Sequence, residues 1–220
     1  MNRVPVYLDY AATTPTDPLV VEAMLPYFTG RFGNPASRTH DYGAEALEAV
    51  KSARSQVAKL IKANKSEDIV FTSGATEAIN LAIKGVYESY QEKGNHIITT
   101  SVEHKAVLDT CAYLEKKGAR ITYLPVDGNG VVDLNALRSA VTPETILISV
   151  IYVNNETGVI QPIREIADIA DAKGVLFMSD ATQAIGKIVV DVEKDGIDLL
   201  TCSAHKIYGP NGVGALYIKG

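Results

Sequence analysis

Short runs of apolar residues alternate with longer stretches of helical periodicity along this chain, and that alternation restricts its fold more than any other feature. In the run Ile146-Leu147-Ile148-Ser149-Val150-Ile151 nearly every residue is apolar, so a strand there must be buried on both faces. Such strands separated by helices are typical of a mainly parallel sheet with helices on both sides. We predict seven strands: Ile69–Thr72, His96–Ser101, Arg120–Val126, Ile146–Val153, Val175–Asp180, Leu199–Ser203 and Val213–Ile218.

Helices are predicted between these strands because apolar residues recur there three or four positions apart. The turn Tyr208–Gly212 is too short for a parallel crossover, which predicts that one strand of the sheet is antiparallel. We expect residues 1–14 to form an extended arm and residues 15–220 to form one large domain. The predicted helices are Leu19–Phe28, Glu45–Lys62, Thr76–Tyr90, Lys105–Lys117, Leu134–Val141 and Ile163–Lys173.

Composition restricts the class of protein. A chain of 220 residues, 46% hydrophobic and 21% charged, should fold as a globular protein with a sizeable core. The net charge is −5 and no basic stripe indicates nucleic acid binding. No signal peptide and no apolar run of membrane-spanning length is present, so we expect a cytoplasmic protein with no membrane partner. Cys111 and Cys202 have no metal-ligand spacing and are expected to be reduced.

Polar residues directly follow five of the predicted strands. Ligands of open parallel sheets bind beyond the carboxyl ends of the strands, so these residues predict one site at that edge. The polar segments are Ser73–Thr76, Glu103-His104, Asn154–Glu156, Asp180–Gln183 and Ser203–Lys206.

Lys206 is the most informative residue of that set. A lysine directly after a buried strand needs a partner, because lysine is rarely buried alone. One interpretation is a salt bridge to Asp180, and the other is covalent attachment to an aldehyde cofactor. Asp180 itself could cap the following turn or pair with a buried cation such as a pyridinium nitrogen.

The remaining segments each allow a structural and a functional interpretation. Ser73–Thr76 could be a plain capping turn or an anion site at a helix N-terminus. His104 could cap a helix, or it could stack on a flat ring and exchange protons. Asn155 and Gln183 could be loop hydrogen-bonders or could bind ligand oxygens.

Taken together, these segments resemble the cysteine desulfurases of the NifS/IscS type, which belong to the pyridoxal-phosphate-dependent transferases of fold type I, aminotransferase class V. The form of Glu103–Leu108 is similar to the housekeeping iron–sulfur group rather than the selenocysteine-lyase-like group. The matching segments run in family order along essentially the whole chain: Tyr7–Pro15, Phe32–Ser37, Thr72–Asn80, Glu103–Leu108, Val153–Gly158, Asp180–Gln183 and Ser203–Lys206.

The resemblance implies a role for each site residue. Lys206 would bond covalently to pyridoxal phosphate and later move the substrate α-proton, while His104 would stack on the ring and handle protons on the substrate sulfur. Asp180 would pair with the ring nitrogen and Gln183 with the ring hydroxyl. Asn155 would orient the substrate carboxylate and the ring oxygen. The phosphate would be held by the remaining residues: Gly74, Ala75, Thr76, Ser203 and His205.

The resemblance also implies a reaction, L-cysteine to L-alanine with sulfur left as an enzyme persulfide, and partners. These are a sulfur-acceptor protein, either an iron–sulfur scaffold or a tRNA-thiolation relay, and a second copy in a homodimer. The family is nearly twice as long, and its persulfide cysteine, its carboxylate-binding arginine and its small C-terminal domain would lie beyond Gly220. We therefore expect this chain alone to be nearly inactive. The alternatives are another class V lyase or aminotransferase, or a non-catalytic binding module.

Overall fold

The computed structural model describes residues 5–220, so the first four residues of the predicted arm lie outside the described part. Seven strands and seven α-helices alternate through it. The strands are β1 (Ile69–Thr72), β2 (His96–Thr100), β3 (Arg120–Leu124), β4 (Thr145–Ser149), β5 (Leu176–Asp180), β6 (Leu199–Ser203) and β7 (Gly214–Ile218). The helices are α1 (Pro18–Thr29), α2 (Asp41–Leu60), α3 (Ala75–Ser89), α4 (Lys105–Glu115), α5 (Leu134–Ala140), α6 (Ile163–Asp171) and α7 (Val192–Asp195).

All seven strands form one sheet in the order β1-β7-β6-β5-β4-β2-β3. β7 runs antiparallel to both β1 and β6, and the other neighbours are parallel. The prediction of a mainly parallel seven-stranded sheet with one antiparallel strand is therefore confirmed. Every residue of β2 and of β4 is buried, as the apolar runs indicated.

The core lies in two layers, one on each face of the sheet. Alternate strand residues point to opposite faces, so Ile97 and Ile98 of β2 belong to different apolar clusters. The cluster that contains Ile97 packs against α3 and α4, and the one that contains Ile98 packs against α2, α5 and α6. No helix in the described range 5–220 is both long enough and apolar enough to cross a membrane.

The carboxyl ends of the parallel strands β2, β4, β5 and β6 meet at one edge of the sheet. β1 has the same direction as β6, because both are antiparallel to β7, so its carboxyl end lies there as well. The N-terminal ends of α3 and α4 follow β1 and β2 at that edge. The topology thus places all five polar segments on one side of the domain.

Candidate active site

A cavity of about 530 Å³ lies at this edge of the sheet. It is lined by residues from four strand ends, from the loop after β4 and from the N-terminal segment. Every residue predicted for the site lines it: Gly74, Ala75, Thr76, His104, Asn155, Asp180, Gln183, Ser203, His205 and Lys206. The structure therefore brings the predicted residues together, while their individual roles stay predictions.

Lys206 ends a short 3₁₀ turn, Ala204–Lys206, that directly follows β6. Its Nζ donates one hydrogen bond to the carbonyl oxygen of Ala11 and another to that of Ala12, both at 2.7 Å. Among the described residues these acceptors are neutral carbonyls. The salt bridge to Asp180 that the sequence allowed is therefore not formed.

Burial and neighbouring charge both act on the Lys206 ammonium. Partial burial lowers its pKa below the ordinary 10.5, and the positive charge of Lys187 lowers it further. The carboxylates of Asp9 and Asp180 act in the opposite direction. The net lowering makes the unprotonated amine, which is the nucleophilic form, more available near neutral pH.

The N-terminal segment is attached to the turn that carries Lys206. The backbone N–H and the hydroxyl of Thr14 both donate to the carbonyl oxygen of His205, each at 2.9 Å. The N–H of Tyr208 in turn donates to the Thr14 hydroxyl at 2.8 Å. No periodic pattern pointed to this attachment, and the resemblance of Tyr7–Pro15 to the family was its one signal.

Asp180 is the last residue of β5 and is only 3% exposed. Its Oδ1 accepts from the N–H of Thr182 at 3.0 Å and, more weakly, from the hydroxyl of Thr201 at 3.4 Å. Both bonds reach Oδ1, and no hydrogen bond from the described residues reaches Oδ2. The carboxylate thus caps the following turn, and Asp180 also lines the cavity.

The N-terminus of α3 and the end of β6 together border a candidate anion site, which we call the α3 cradle. Gly74 is the N-cap residue and provides no side chain to the free N–H groups of the first turn. Its φ of +156° favours glycine, and a Cβ there would lie 3.7 Å from the Ser203 hydroxyl oxygen. Gly74, Ala75, Thr76 and Ser203 line the same cavity, so free N–H groups of the first turn and two hydroxyl-bearing residues border one space, a combination typical of anion sites.

His104 caps α4 and also lines the cavity. Its Nδ1 accepts from the N–H of Ala106 at 3.2 Å, so the neutral ring carries its proton on Nε2. The capping interpretation and the functional interpretation are therefore compatible.

The carboxyl group of Glu103, to which the sequence analysis gave no individual role, ties two loops of the site together. Glu103 is 6% exposed, and its Oε1 accepts from the Thr100 hydroxyl at 2.7 Å and from the N–H of Ile151 at 2.9 Å. Burial raises its pKa to about 8, so the carboxyl group is largely neutral at pH 7. It fixes the His104 turn against the end of β4.

The two cysteines are free and unsuited to chemistry. Cys111 is buried and Cys202 is partly buried. Burial raises the pKa of each thiol to about 12, so neither forms a thiolate readily.

Comparison with known proteins agrees with the geometry. Residues 6–220 match the family model described as Aminotransferase class-V. A cysteine desulfurase IscS of Rickettsia massiliae is 58% identical over 216 residues, which is 98% of this chain and 52% of that relative. The chain therefore spans about half the length of such relatives.

Two solved structures share the fold over nearly the whole chain. A NifS-like protein superimposes with a TM-score of 0.94 at 43% identity, covering 98% of this chain and 59% of that one. A structure of SspA in complex with cysteine gives a TM-score of 0.93 at 43% identity, covering 96% and 60%. Because the family model matches almost every residue, the chain belongs to the aminotransferase class-V family.

Proposed function

We propose that this chain is the pyridoxal-phosphate-binding part of a cysteine desulfurase, which converts L-cysteine to L-alanine and passes the sulfur on as a persulfide. The observation that carries the proposal is the position of Lys206, whose amino group lies in one cavity with the Asp180 carboxylate and the α3 cradle. The names of the similar proteins, cysteine desulfurase IscS among them, support the choice of substrate.

The donors and acceptors of the cavity match the groups of pyridoxal phosphate. Its volume of about 530 Å³ lies within the usual range for small-molecule sites. The α3 cradle suits a phosphate, Asp180 suits a protonated ring nitrogen, and the Gln183 N–H suits a ring oxygen. Lys206 is the amine that an aldehyde requires.

When bound, pyridoxal phosphate supplies an electron-poor ring that accepts the electron pair left when a bond to the substrate α-carbon breaks. Lys206 would provide the attaching amine and would hold and move the α-proton at Nζ. His104 would exchange a proton with the substrate sulfur through Nε2. Asp180 would hold the ring nitrogen in its cationic form, and Asn155 would orient the substrate carboxylate.

Neither cysteine of this chain is proposed as the sulfur acceptor, because burial suppresses both thiolates. The full protein would use a cysteine outside these residues. It would form a homodimer and would pass the sulfur to a separate sulfur-acceptor protein. Free cysteines fit a reducing compartment, and we propose the cytoplasm.

The first test is covalent attachment of the cofactor to one lysine. We expect borohydride reduction of the chain with pyridoxal phosphate to label the Lys206 peptide selectively, as read by mass spectrometry. Lys206→Ala should lose the label and the visible absorption, and Lys116→Ala, at the far end of α4, should keep both. Attachment spread over many lysines, or unchanged absorption in Lys206→Ala, would contradict the proposal.

The second test measures turnover. With L-cysteine and a reductant, we expect the 220-residue chain to release little sulfide, and Cys111→Ser/Cys202→Ser to behave as the parent chain does. Robust sulfide release by the 220-residue chain that is lost in that double variant would show that one of these cysteines accepts sulfur. The full-length protein, assayed for alanine and sulfide, serves as the positive control.

A further inference from the structure

Lys187 contacts the oxygen end of the side-chain amide of Gln183. The two residues are four positions apart in the turn that follows β5, and Lys187 Nζ donates to Gln183 Oε1 at 2.5 Å. An ammonium group has donors only, so the oxygen end of the amide must face it. The nitrogen end therefore faces away from Lys187.

The other end of the same amide meets an acceptor in the site. Gln183 Nε2 donates to the Ala11 carbonyl oxygen at 2.8 Å, and Gln183 is 8% exposed. This carbonyl is also one of the two acceptors of Lys206. A reversed amide would place an oxygen against the carbonyl and an N–H group against the ammonium, so both hydrogen bonds would be lost.

The turn is held against the segment that carries Lys206. Gly186 has a φ of +75°, and a Cβ there would lie 2.9 Å from Cγ2 of Ile207. That close approach keeps the Lys187 segment next to the Lys206 turn. The groups whose charge acts on Lys206 are Lys187, Asp9 and Asp180.

We propose that Lys187 is a positioning residue of the site: it fixes the Gln183 amide so that the N–H donor, and not the carbonyl oxygen, faces the bound ligand. The inference rests on the function proposed above. An N–H donor favours an anionic ring oxygen, whereas a carbonyl oxygen would favour a hydroxyl. Lys187 thereby acts on the protonation state of the ligand through Gln183, and its charge adds to the lowering of the Lys206 pKa.

The first experiment observes the amide itself and needs no cofactor. The chain has four glutamines, so side-chain ¹⁵N labelling of glutamine gives a simple NMR spectrum, and Gln183→Leu identifies the Gln183 signal. We expect slow solvent exchange of its NH₂ protons in the parent chain. In Lys187→Met exchange should become at least about threefold faster, because the amide is no longer held from both ends.

Controls separate positioning from general stability. Lys187→Arg restores a donor and should restore slow exchange, and Lys116→Met should change nothing. Gln161 is an internal reference, because backbone groups of Val132 and Gly130 hold both ends of its amide. Unchanged Gln183 exchange in Lys187→Met, or equal acceleration at Gln161, would overturn the proposal.

The second experiment uses the chain loaded with pyridoxal phosphate. It measures the pH at the midpoint of the absorption change of the lysine-bound chromophore. We expect Lys187→Met to raise it by about half a pH unit, because a donor to the anionic oxygen and a nearby cation are both lost. The shift should be smaller when Gln183→Leu is already present. An equal shift in both backgrounds would overturn action through Gln183. If the parent chain fails to bind the cofactor, the proposed function fails, and the exchange experiment still decides the role of Lys187.

Discussion

His96 is a buried histidine that joins three strands through its ring. It is fully buried, and its two ring nitrogens lie 2.8 Å from the hydroxyl oxygens of Thr145 and Thr122. A neutral ring donates at one nitrogen and accepts at the other, which satisfies both hydroxyls. Burial lowers the pKa of His96 to about 4, and the positive charge of Arg120 adds to the effect.

This pKa predicts acid sensitivity of the fold. At His96 the unfolded chain takes up a proton near pH 6.5, whereas the folded chain takes one up only near pH 4. The contribution of neutral His96 to the free energy of unfolding is therefore complete above pH 6.5 and is lost as the pH falls toward 4. The loss should reach about 3 kcal/mol. Urea unfolding between pH 7 and 4 measures it, and His96→Gln should show a flatter pH dependence. An unchanged slope in His96→Gln would assign the acid sensitivity to other groups.

Single residues show how far sequence reasoning reached. The position of Lys206, Asp180 and His104 in one cavity could be predicted, because a parallel sheet gathers the carboxyl ends of its strands at one edge. The contacts of Lys187 and the buried hydrogen bonds of Glu103 could not be predicted, because they depend on which atoms face these side chains after folding. The sequence placed Glu103 at the site edge but did not indicate that its carboxyl group is buried, with only 6% of the residue exposed.

At the scale of elements, the start of β7 and the start of α3 lie very close to each other at Gly214. Gly214, which opens β7, pairs with Thr72 and Ser203. A Cβ on Gly214 would lie 2.6 Å from the Cys202 carbonyl oxygen and from backbone atoms of Gly74. These neighbours are backbone atoms of a strand and a helix cap, so they have little freedom to move.

We therefore expect Gly214→Ala to destabilise the chain by roughly 1–3 kcal/mol and to weaken pyridoxal phosphate binding, because it pushes the α3 cradle away from β6. Gly85→Ala is the matched control: nothing lies within 4 Å of its Cβ position inside α3, so alanine should stabilise by up to about 1 kcal/mol. Thermal unfolding and cofactor titration of both variants provide the measurement. Parent-like stability and affinity in Gly214→Ala would be inconsistent with this packing.

The existence of the main elements could be predicted, but several of their ends could not. The fourth strand was predicted to reach Val153 and ends at Ser149; beyond that point the N–H of Ile151 bonds to the Glu103 carboxyl group and not to a neighbouring strand. α2 begins at Asp41, earlier than predicted, because His40 Nδ1 caps it by accepting from Gly43 N–H. The four-residue α7 is too short to show periodicity.

At the scale of the whole molecule, contacts between distant parts of the chain complete the site. Lys206 and Ala11 are hydrogen-bonded although 195 positions separate them. General rules for the connections between strands reduce the possible strand orders to a few topologies. No local sequence pattern, however, specifies where an irregular N-terminal segment packs. The sequence analysis did not assign this segment to the site, and the resemblance of Tyr7–Pro15 to the family was the one available signal.

The N-terminal part of the molecule also exposes apolar side chains that a monomer rarely leaves uncovered. Leu8, Leu19, Phe28 and Phe32 are 69% to 85% exposed, and no residue of α1 is buried. An apolar surface of this kind drives association in water. We expect the 220-residue chain to self-associate with rising concentration and to bind an apolar fluorescent dye.

Polar substitution on α1 should reduce this association without loss of the fold. In Leu19→Ser/Phe28→Ser, sedimentation should show fewer oligomers and dye binding should fall severalfold, because both side chains are 72% or more exposed. The unfolding temperature should change little, since neither residue packs in the core. Tyr113→Ser, an exposed residue of α4 at 46%, is the control and should leave association unchanged. If that control reduces association as much as the α1 variant does, the apolar surface responsible is not the N-terminal one.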